Sequence, residues 1–385
     1  MRIVYLYTAL TTIGGADRVI INKANYFAEK FGYDVTIITD SQGSAPPIFP
    51  LSSKIHLINL NIMFGQQYEH SILLRGYYYV KLMRVYKRKV TQELKKIKPD
   101  FTISVFGREL DFLSNLDDGS LKIEEAHVAK SYVRNFHLME QRSLPYRLVV
   151  RHWRKKMENA IKRIAALIVL TEEDANKWNL VCENVHVIPN SLPFNDERSS
   201  ECSSKDIICV GRLNEQKGFD LLIDAWALIH NKYPEWRIHV YGEGLLKRDL
   251  ETQIEERNVK SSFILEDPVA DIQKKYLSSS FYVLSSRFEG FGMALIEAMS
   301  CGLPCISFDC PSGPSEIISD NVDGLLVKNG DIQELSEKIV YMIEHPEERK
   351  MMGQRAKKNV IRYSEDVIME RWRELFNHLI EQKIK

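Results

Sequence analysis

The sequence predicts an α/β protein of two domains, each a doubly wound parallel sheet. Three observations carry this expectation. Short apolar, β-prone runs alternate with helical stretches along almost the whole chain, the pattern of successive βαβ units. The length, 385 residues, exceeds what one hydrophobic core usually fills. The alternation is broken once, by the polar run NDERSSECSSKD at residues 195–206, and then restarts. This places an N-terminal domain at 1–190, a linker at 191–205, a second domain at 206–363 and a terminal helix at 364–385.

Taken in order, Arg2–Tyr7 is apolar and β-prone and runs into a loop through Gly14-Gly15. A helix from Ala16 to Phe31 stops at Gly32, and Val35–Thr39 returns as a strand. Strand-like runs follow at Ile55–Leu60 and Phe101–Val105. Between them Tyr79, Met83, Tyr86, Val90, Leu94 and Ile97 keep the spacing of one helix face. Leu121–Glu125 leads into His127, Ala166–Leu170 ends at Thr171, and Val185–Pro189 closes the first half. The second half reads as strands at Ile207–Val210, Arg237–Tyr241, Phe263–Leu265, Phe281–Leu284, Cys305–Phe308 and Leu325–Val327. Helices are expected from Phe219, up to Glu256, near Ile272–Leu277, over Met293–Met299 and over Ile332–Glu344. Trp372, Leu375 and Leu379 mark a last helix within Asp366–Ile380 that returns to the N-terminal domain. Tyr5, Tyr7 and the aromatics of Tyr77–Tyr79 read as core or groove lining.

The formal charge is zero, yet the halves differ. Residues 1–190 carry 27 Lys and Arg against 19 Asp and Glu, whereas residues 191–385 carry 25 against 33. A basic first half therefore accompanies an acidic second half. The opening MRIVYLYTALTTIGG is too short and polar for a secretory or membrane-spanning segment, and no later run reaches spanning length. The six cysteines (Cys182, Cys202, Cys209, Cys301, Cys305, Cys310) include no CxxC pair. Reduced, buried thiols are expected, and no metal site.

The stretch Phe281–Glu316 is the most informative. Between Phe291 and Phe308 the only charged residue is Glu297, on a helix without a polar face. A carboxylate so enclosed needs a partner, and a ligand hydroxyl is a natural one. Glu289 lies eight residues earlier, in the loop before the helix, where Gly290 and Gly292 let a ligand approach the backbone. Ligands of doubly wound sheets bind outside the carboxyl ends of the strands. Those ends carry Gly14-Gly15 and His127 in the first half. In the second half they carry Gly211-Arg212, Lys217, Gly242-Glu243-Gly244 and the loop from Arg287 to Gly292. Arg212 and Lys217 suit a diphosphate, one as a planar fork and one as a point charge. The amides of Phe291, Gly292 and Met293 open a helix and add donors for the same anion. Glu297 could then accept from ribose hydroxyls and Glu289 from an attached group, so the assembly reads as a nucleotide-diphosphate-sugar site.

The combination of Gly14-Gly15-Ala-Asp-Arg, GRLNEQKGFD (Gly211–Asp220), YGEG (Tyr241–Gly244) and EGFGMALIE (Glu289–Glu297) resembles the retaining glycosyltransferases of GT-B fold, GT4 type. The resemblance covers nearly the whole chain. It implies two Rossmann-like domains facing a cleft that holds the active site, retention of anomeric configuration, and no divalent metal or cofactor. It also implies that Arg212 and Lys217 hold the donor diphosphate, Glu297 the ribose and Glu289 the 3- and 4-hydroxyls of the sugar. The amides of Phe291, Gly292 and Met293 would contact sugar and phosphate. His127 would lie near the donor's C6 hydroxyl, and Gly14 and Gly15 would let the first loop reach the phosphates. The run Asp309–Ile317 resembles members acting on cell-surface polysaccharides and lipid-linked oligosaccharides, often with UDP-GalNAc or UDP-galactose. One departure is visible: Glu266-Asp267-Pro268 stands where the family often places a glycine that reads the base. Uracil is expected near Pro268–Val269, and Gly242 is expected among the donor-binding residues.

Each residue also has a plainer reading. Gly14-Gly15 can be a tight turn, and no GxGxxG follows the first strand, which counts against a dinucleotide site. His127 can be a core histidine, and Arg212 and Lys217 surface charges. Two segments, 70–92 and 141–157, carry six basic residues each and no acid. They include Arg75, Lys81, Arg84, Lys87, Arg88 and Lys89, and Arg142, Arg147, Arg151, Arg154, Lys155 and Lys156. A solvated helix face accounts for them. So does an anionic membrane surface, with interleaved aromatics at the interface. Nucleic acid is disfavoured by the acidic second half and the missing recognition motif. The expectation is a cytoplasmic hexosyltransferase, peripheral at the inner membrane face, that takes a UDP-sugar donor and a lipid-linked or polysaccharide acceptor. A sugar-nucleotide epimerase or hydrolase and a non-catalytic sugar-nucleotide-binding protein are the rival readings.

Overall fold

The computed structural model describes residues 1–12, 14–136, 139, 144–194 and 197–384. The chain divides into two units, one of residues 1–188 with 369–385 and one of residues 189–368. Each unit is built on a parallel sheet, as the alternating pattern predicts.

The first sheet has seven strands: β1 (Arg2–Tyr7), β2 (Asp34–Thr39), β3 (His56–Asn59), β4 (Phe101–Ser104), β5 (Leu121–Ala126), β6 (Ala166–Val169) and β7 (Val185–Val187). Their order is β3-β2-β1-β4-β5-β6-β7, so it reverses between β1 and β4. Strands β1 and β6 are buried on both faces, which is why their sequences are apolar runs and not alternations. Register places Tyr5 beside Ile103 on one face. On the other face Val4 and Leu6 pack with Tyr86, Val90 and Leu94 of the helix Ile72–Ile97. The helix Leu144–Ile161 adds Val150, Met157 and Ile161 to a cluster with Leu167 and Val169. The face bearing Phe101 is closed by the terminal helix Glu365–Ile384, whose Phe376 ring sits 4.6 Å from Phe101 and 5.5 Å from Phe27.

The second sheet comprises β8 (Asp206–Val210), β9 (Arg237–Tyr241), β10 (Phe263–Glu266), β11 (Phe281–Leu284), β12 (Cys305–Asp309) and β13 (Gly324–Lys328). Its order is β10-β9-β8-β11-β12-β13, with the reversal between β8 and β11. Ile207, Cys209, Ile238, Val240 and Val283 share a core with the helices Phe219–Ala227 and Ile332–Glu344. The helix Met293–Ser300 is buried from Leu295 to Ser300, as its missing polar face requires. The run expected as a linker is stitched to this unit: Ser200 Oγ donates to Ser279 O (2.5 Å), Cys202 Sγ to Gly302 O (3.4 Å) and Arg349 Nε to Cys202 O (3.0 Å). Its Asn195 and Asp196 lie outside the described residues. All six cysteines are free and buried. Among the described residues no helix is long and apolar enough to cross a membrane.

Candidate active site

In an open parallel sheet, a ligand crevice forms where the strand order reverses. In the second unit that point lies between the loops after β8 and β11. The first carries Arg212 and Lys217; the second carries Glu289. The fold brings Lys217 and Glu289 together, with Lys217 Nζ donating to Glu289 Oε1 at 2.6 Å. Ser286 Oγ donates to the same oxygen at 2.6 Å. The pair is mostly enclosed, with 18% of the lysine and 7% of the glutamate side chain exposed. A charge-assisted bond this short fixes the two side chains against each other.

Several contacts lock the two loops to each other. Arg287 forms a fork on Asp220, Nη1 to Oδ1 at 2.8 Å and Nη2 to Oδ2 at 2.6 Å, and also donates to Glu215 O at 2.9 Å. Burial alone would raise the Asp220 carboxyl; the guanidinium outweighs it and holds it below the usual range. Ser285 Oγ donates to Lys217 O (3.0 Å) and Gln216 Nε2 to Phe288 O (3.1 Å). Gly218 adopts φ +61°, and a Cβ there would stand 2.1 Å from Ser285 O. Only glycine lets the backbones come this close.

Arg212 is exposed, and no side-chain partner for it occurs among the described residues. Gly242, at the end of β9, fits for a backbone reason: a Cβ would lie 1.9 Å from Gly211 O. Its loop is tied to the loop after β8 by Leu213 N donating to Glu243 O (2.8 Å). Val269 is half-buried in the turn after β10. Phe291 is buried, Gly292 caps the helix Met293–Ser300 at φ +104°, and Met293 is its first residue.

The enclosed carboxylate of Glu297 already has a partner within the protein. Tyr276 Oη donates to Glu297 Oε2 at 3.1 Å. Sequence reasoning assigned that role to a ligand hydroxyl alone and missed Tyr276, which reaches the helix from the neighbouring Ile272–Leu277 segment. It also missed Ser286 and the Arg287–Asp220 fork. The available signal was that loops following adjacent strands must satisfy each other's polar groups.

The remaining predicted residues belong to the first unit. Gly14 caps the helix Gly15–Glu29 in extended conformation. Asp17 in the first turn accepts from Tyr7 Oη (2.7 Å) and Thr12 N (2.9 Å), tying down the loop after β1. His127 follows β5, its Nε2 3.0 Å from Glu125 Oε2. Glu125 also pairs with Lys23, and both are almost fully buried. Burial would push the Glu125 carboxyl up; Lys23 and His127 outweigh it and bring it down to about 2.

Several cations of the basic segments have partners within the protein, Lys156 among them, its Nζ 3.3 Å from Asp111 Oδ2. Arg75 Nε donates to His70 O (3.1 Å) and Lys89 Nζ to Leu60 O (2.6 Å). Lys81, Arg84, Lys87 and Arg88 are exposed, as are Arg147, Arg151, Lys155 and Lys156. Residues 141–143, Arg142 among them, lie outside the described residues. Tyr77, expected in core or groove, is exposed, as are Leu74, Val80, Leu144, Tyr146, Leu148 and Val149.

These two units, each a parallel sheet with one reversal of strand order, define the class: a pair of Rossmann-like domains as in GT-B glycosyltransferases. An S. aureus TarM variant solved with fondaparinux, α-GlcNAc-glycerol and UDP superposes with a TM-score of 0.77 at 18% identity, over 98% of this chain and 99% of that one. At that identity the likeness establishes the fold alone. Residues 195–359 match the family Glycosyl transferases group 1. An uncharacterized glycosyltransferase of Haemophilus influenzae is 28% identical over 365 residues, 94% of this chain and 95% of its own length. The Campylobacter jejuni GalNAc-alpha-(1->4)-GalNAc-alpha-(1->3)-diNAcBac-PP-undecaprenol alpha-1,4-N-acetyl-D-galactosaminyltransferase is 24% identical over 379 residues, 97% of this chain and 98% of its own.

Proposed function

We propose that the protein is a retaining, metal-independent glycosyltransferase. It moves a hexose or N-acetylhexosamine from a UDP-sugar to a hydroxyl of a lipid-linked or cell-surface glycan. The observation that carries this is the Lys217–Glu289 pair at the β8/β11 reversal, with exposed Arg212 on the same loop as Lys217. Lys217 and Arg212 neutralise the departing diphosphate, which removes the need for a divalent cation. Glu289 orients Lys217 through one oxygen and accepts from sugar hydroxyls. Glu297, steadied by Tyr276, accepts from ribose. The amides of Phe291, Gly292 and Met293 contact sugar and phosphate, and Gly242 and Val269 border the uracil. The leaving phosphate takes the proton of the incoming hydroxyl; the protein supplies position and charge. UDP in the TarM complex and the lipid-linked glycan in the name of the C. jejuni relative support the donor and acceptor classes.

The exposed cations and apolar side chains of the helices Ile72–Ile97 and Leu144–Ile161 support a peripheral station on an anionic membrane. Co-sedimentation with anionic liposomes at low salt checks this. For the chemistry, UDP release is followed from a panel of UDP-sugars with a lipid-linked glycan as acceptor. Lys217→Ala is expected to lower turnover by about 10²–10³ with the fold intact, the loss typical of one charge-stabilising donor. EDTA is expected to leave the rate unchanged. Full activity in Lys217→Ala, or a strict divalent requirement, contradicts the reading.

A further inference from the structure

The first unit has its own reversal of strand order, between β1 and β4, and a recess of about 360 Å³ opens there. Its walls include Thr8 at the end of β1, Phe106 and Arg108 after β4, and Tyr79, Arg134 and Trp153 from the covering segments. Two guanidinium groups here are held but not saturated. Arg108 lies over the Phe64 ring, its Cζ 3.9 Å from the centroid. Its Nη1 stands 3.4 and 3.5 Å from the two oxygens of Asp40. Those distances are long for a charge-assisted bond, which runs about 2.7–2.9 Å. No partner for its Nε or Nη2 occurs among the described residues. Arg134 reaches Asp111 Oδ1 at 3.3 Å and Gly107 O at 2.8 Å, from a backbone at φ +52° that non-glycine residues seldom adopt.

Asp111 is shared with Lys156 Nζ at 3.3 Å. Arg108, Arg134 and Lys156 thus share two carboxylates, Asp40 and Asp111. The nearby Glu109 carboxyl, pushed up to about 7 by burial, contributes less than a full negative charge at neutral pH. The recess is left with spare donors in a planar fork and with ring faces around them. A shallower groove that shares Tyr79 and Trp153 continues past Val80, Met83, Arg84 and Lys87. An apolar or sugar chain could lie there beside its charged group.

We propose that this recess takes an anionic group of the acceptor, a phosphate or diphosphate ester, with Arg108 and Arg134 as its ligands. Arginine forks match phosphate oxygens two at a time, and the rings pack against whatever the phosphate carries. This rests on the transferase reading and adds the acceptor's chemical class to it.

Calorimetric titration with inorganic pyrophosphate tests both readings separately. Wild type is expected to show two binding events, one at the donor site and one at the recess. Lys217→Ala removes the first and Arg108→Gln weakens the second tenfold or more. Arg108→Lys, which keeps the charge but loses the fork, falls between, and guards against a misfolded glutamine variant. If Lys217→Ala leaves both events in place, the donor reading fails while the recess stands. If Arg108→Gln binds as wild type does, or wild type shows a single event that Lys217→Ala abolishes, the recess proposal is overturned. Displacement of the Arg108-dependent event by farnesyl diphosphate supports a lipid carrier as the source; displacement by glycerol 3-phosphate supports a soluble phosphodiester. Displacement by neither overturns the proposal.

Discussion

Glu124 and Glu125 are neighbours in β5, and the pleat sends them to opposite faces of a sheet buried on both sides. Glu125 meets Lys23 and His127 and stays ionised. Glu124 meets Ser104 and, among the described residues, no cation at bonding distance, and burial, helped by the charge of Glu109, pushes its carboxyl up to about 8. The folded state holds this proton more tightly than the unfolded chain, so the stabilisation is complete below the ordinary value of 4.5. It is lost as the pH rises from there through about 8. Glu124→Gln mimics the protonated acid, and is expected to leave the melting temperature unchanged at pH 4.5 and to raise it at pH 9. An equal effect at both pH values contradicts the assignment. Two adjacent acids in a strand reading LKIEEA were visible in the sequence, but their difference was not. What separates them is Lys23, 102 residues away from Glu125. The same limit explains Glu297: its enclosure was legible from a helix without polar residues, whereas Tyr276 was not, because a partner 21 positions away depends on how two helices pack.

At the scale of elements, the candidate donor site is two loops joined edge to edge. The motif GRLNEQKGFD was legible as a strand end followed by cations. Its geometry depends on Gly218, whose position brings the backbone against Ser285 O. Gly218→Ala is expected to cost about 1–3 kcal/mol, the range for a strained left-handed residue, and to lower turnover as Lys217 shifts from Glu289. Gly330→Ala is the control. It too has positive φ, +81°, but nothing lies within 4 Å of its added Cβ. A smaller loss of stability with unchanged turnover is expected there, by thermal melting and UDP-release assay. Equal turnover loss in both variants would mean that the loop contact does not position the lysine. Similarly, the glycine at 242 was readable as a place for close approach, but the approaching group is Gly211 O of the next loop.

Across the whole molecule, the alternation of short apolar runs and helices was enough to expect two parallel-sheet units, and each is present with a reversal of strand order. Element ends shifted by a residue or two, as at the helix Gly15–Glu29, because hydrogen bonds and not hydropathy set them. The polar run at 195–206 read as a linker, yet the part described packs on the second unit through Ser200 and Cys202. Composition alone cannot distinguish a solvated tether from a strap bonded to its own domain. The basic first half and acidic second half were legible as totals. Which cations face solvent and which serve the fold, such as Arg75 and Lys89, needed the side-chain partners. Ser286, Arg108 and Arg134 were missed because nothing local marks them; each acquires its role from a loop it meets in space.

The central claim is that Arg212 and Lys217 hold the diphosphate of a UDP-sugar in the second unit. Thermal unfolding with UDP, ADP and GDP, in wild type and in the Arg212→Ala/Lys217→Ala variant, tests it most directly. A ligand at a hundred times its dissociation constant stabilises the folded state by about 2.7 kcal/mol. UDP is expected to raise the wild-type melting temperature accordingly, ADP and GDP much less, and the double variant is expected to melt at the same temperature with and without UDP. An equal UDP shift in wild type and variant, or no UDP shift in wild type, would contradict the account.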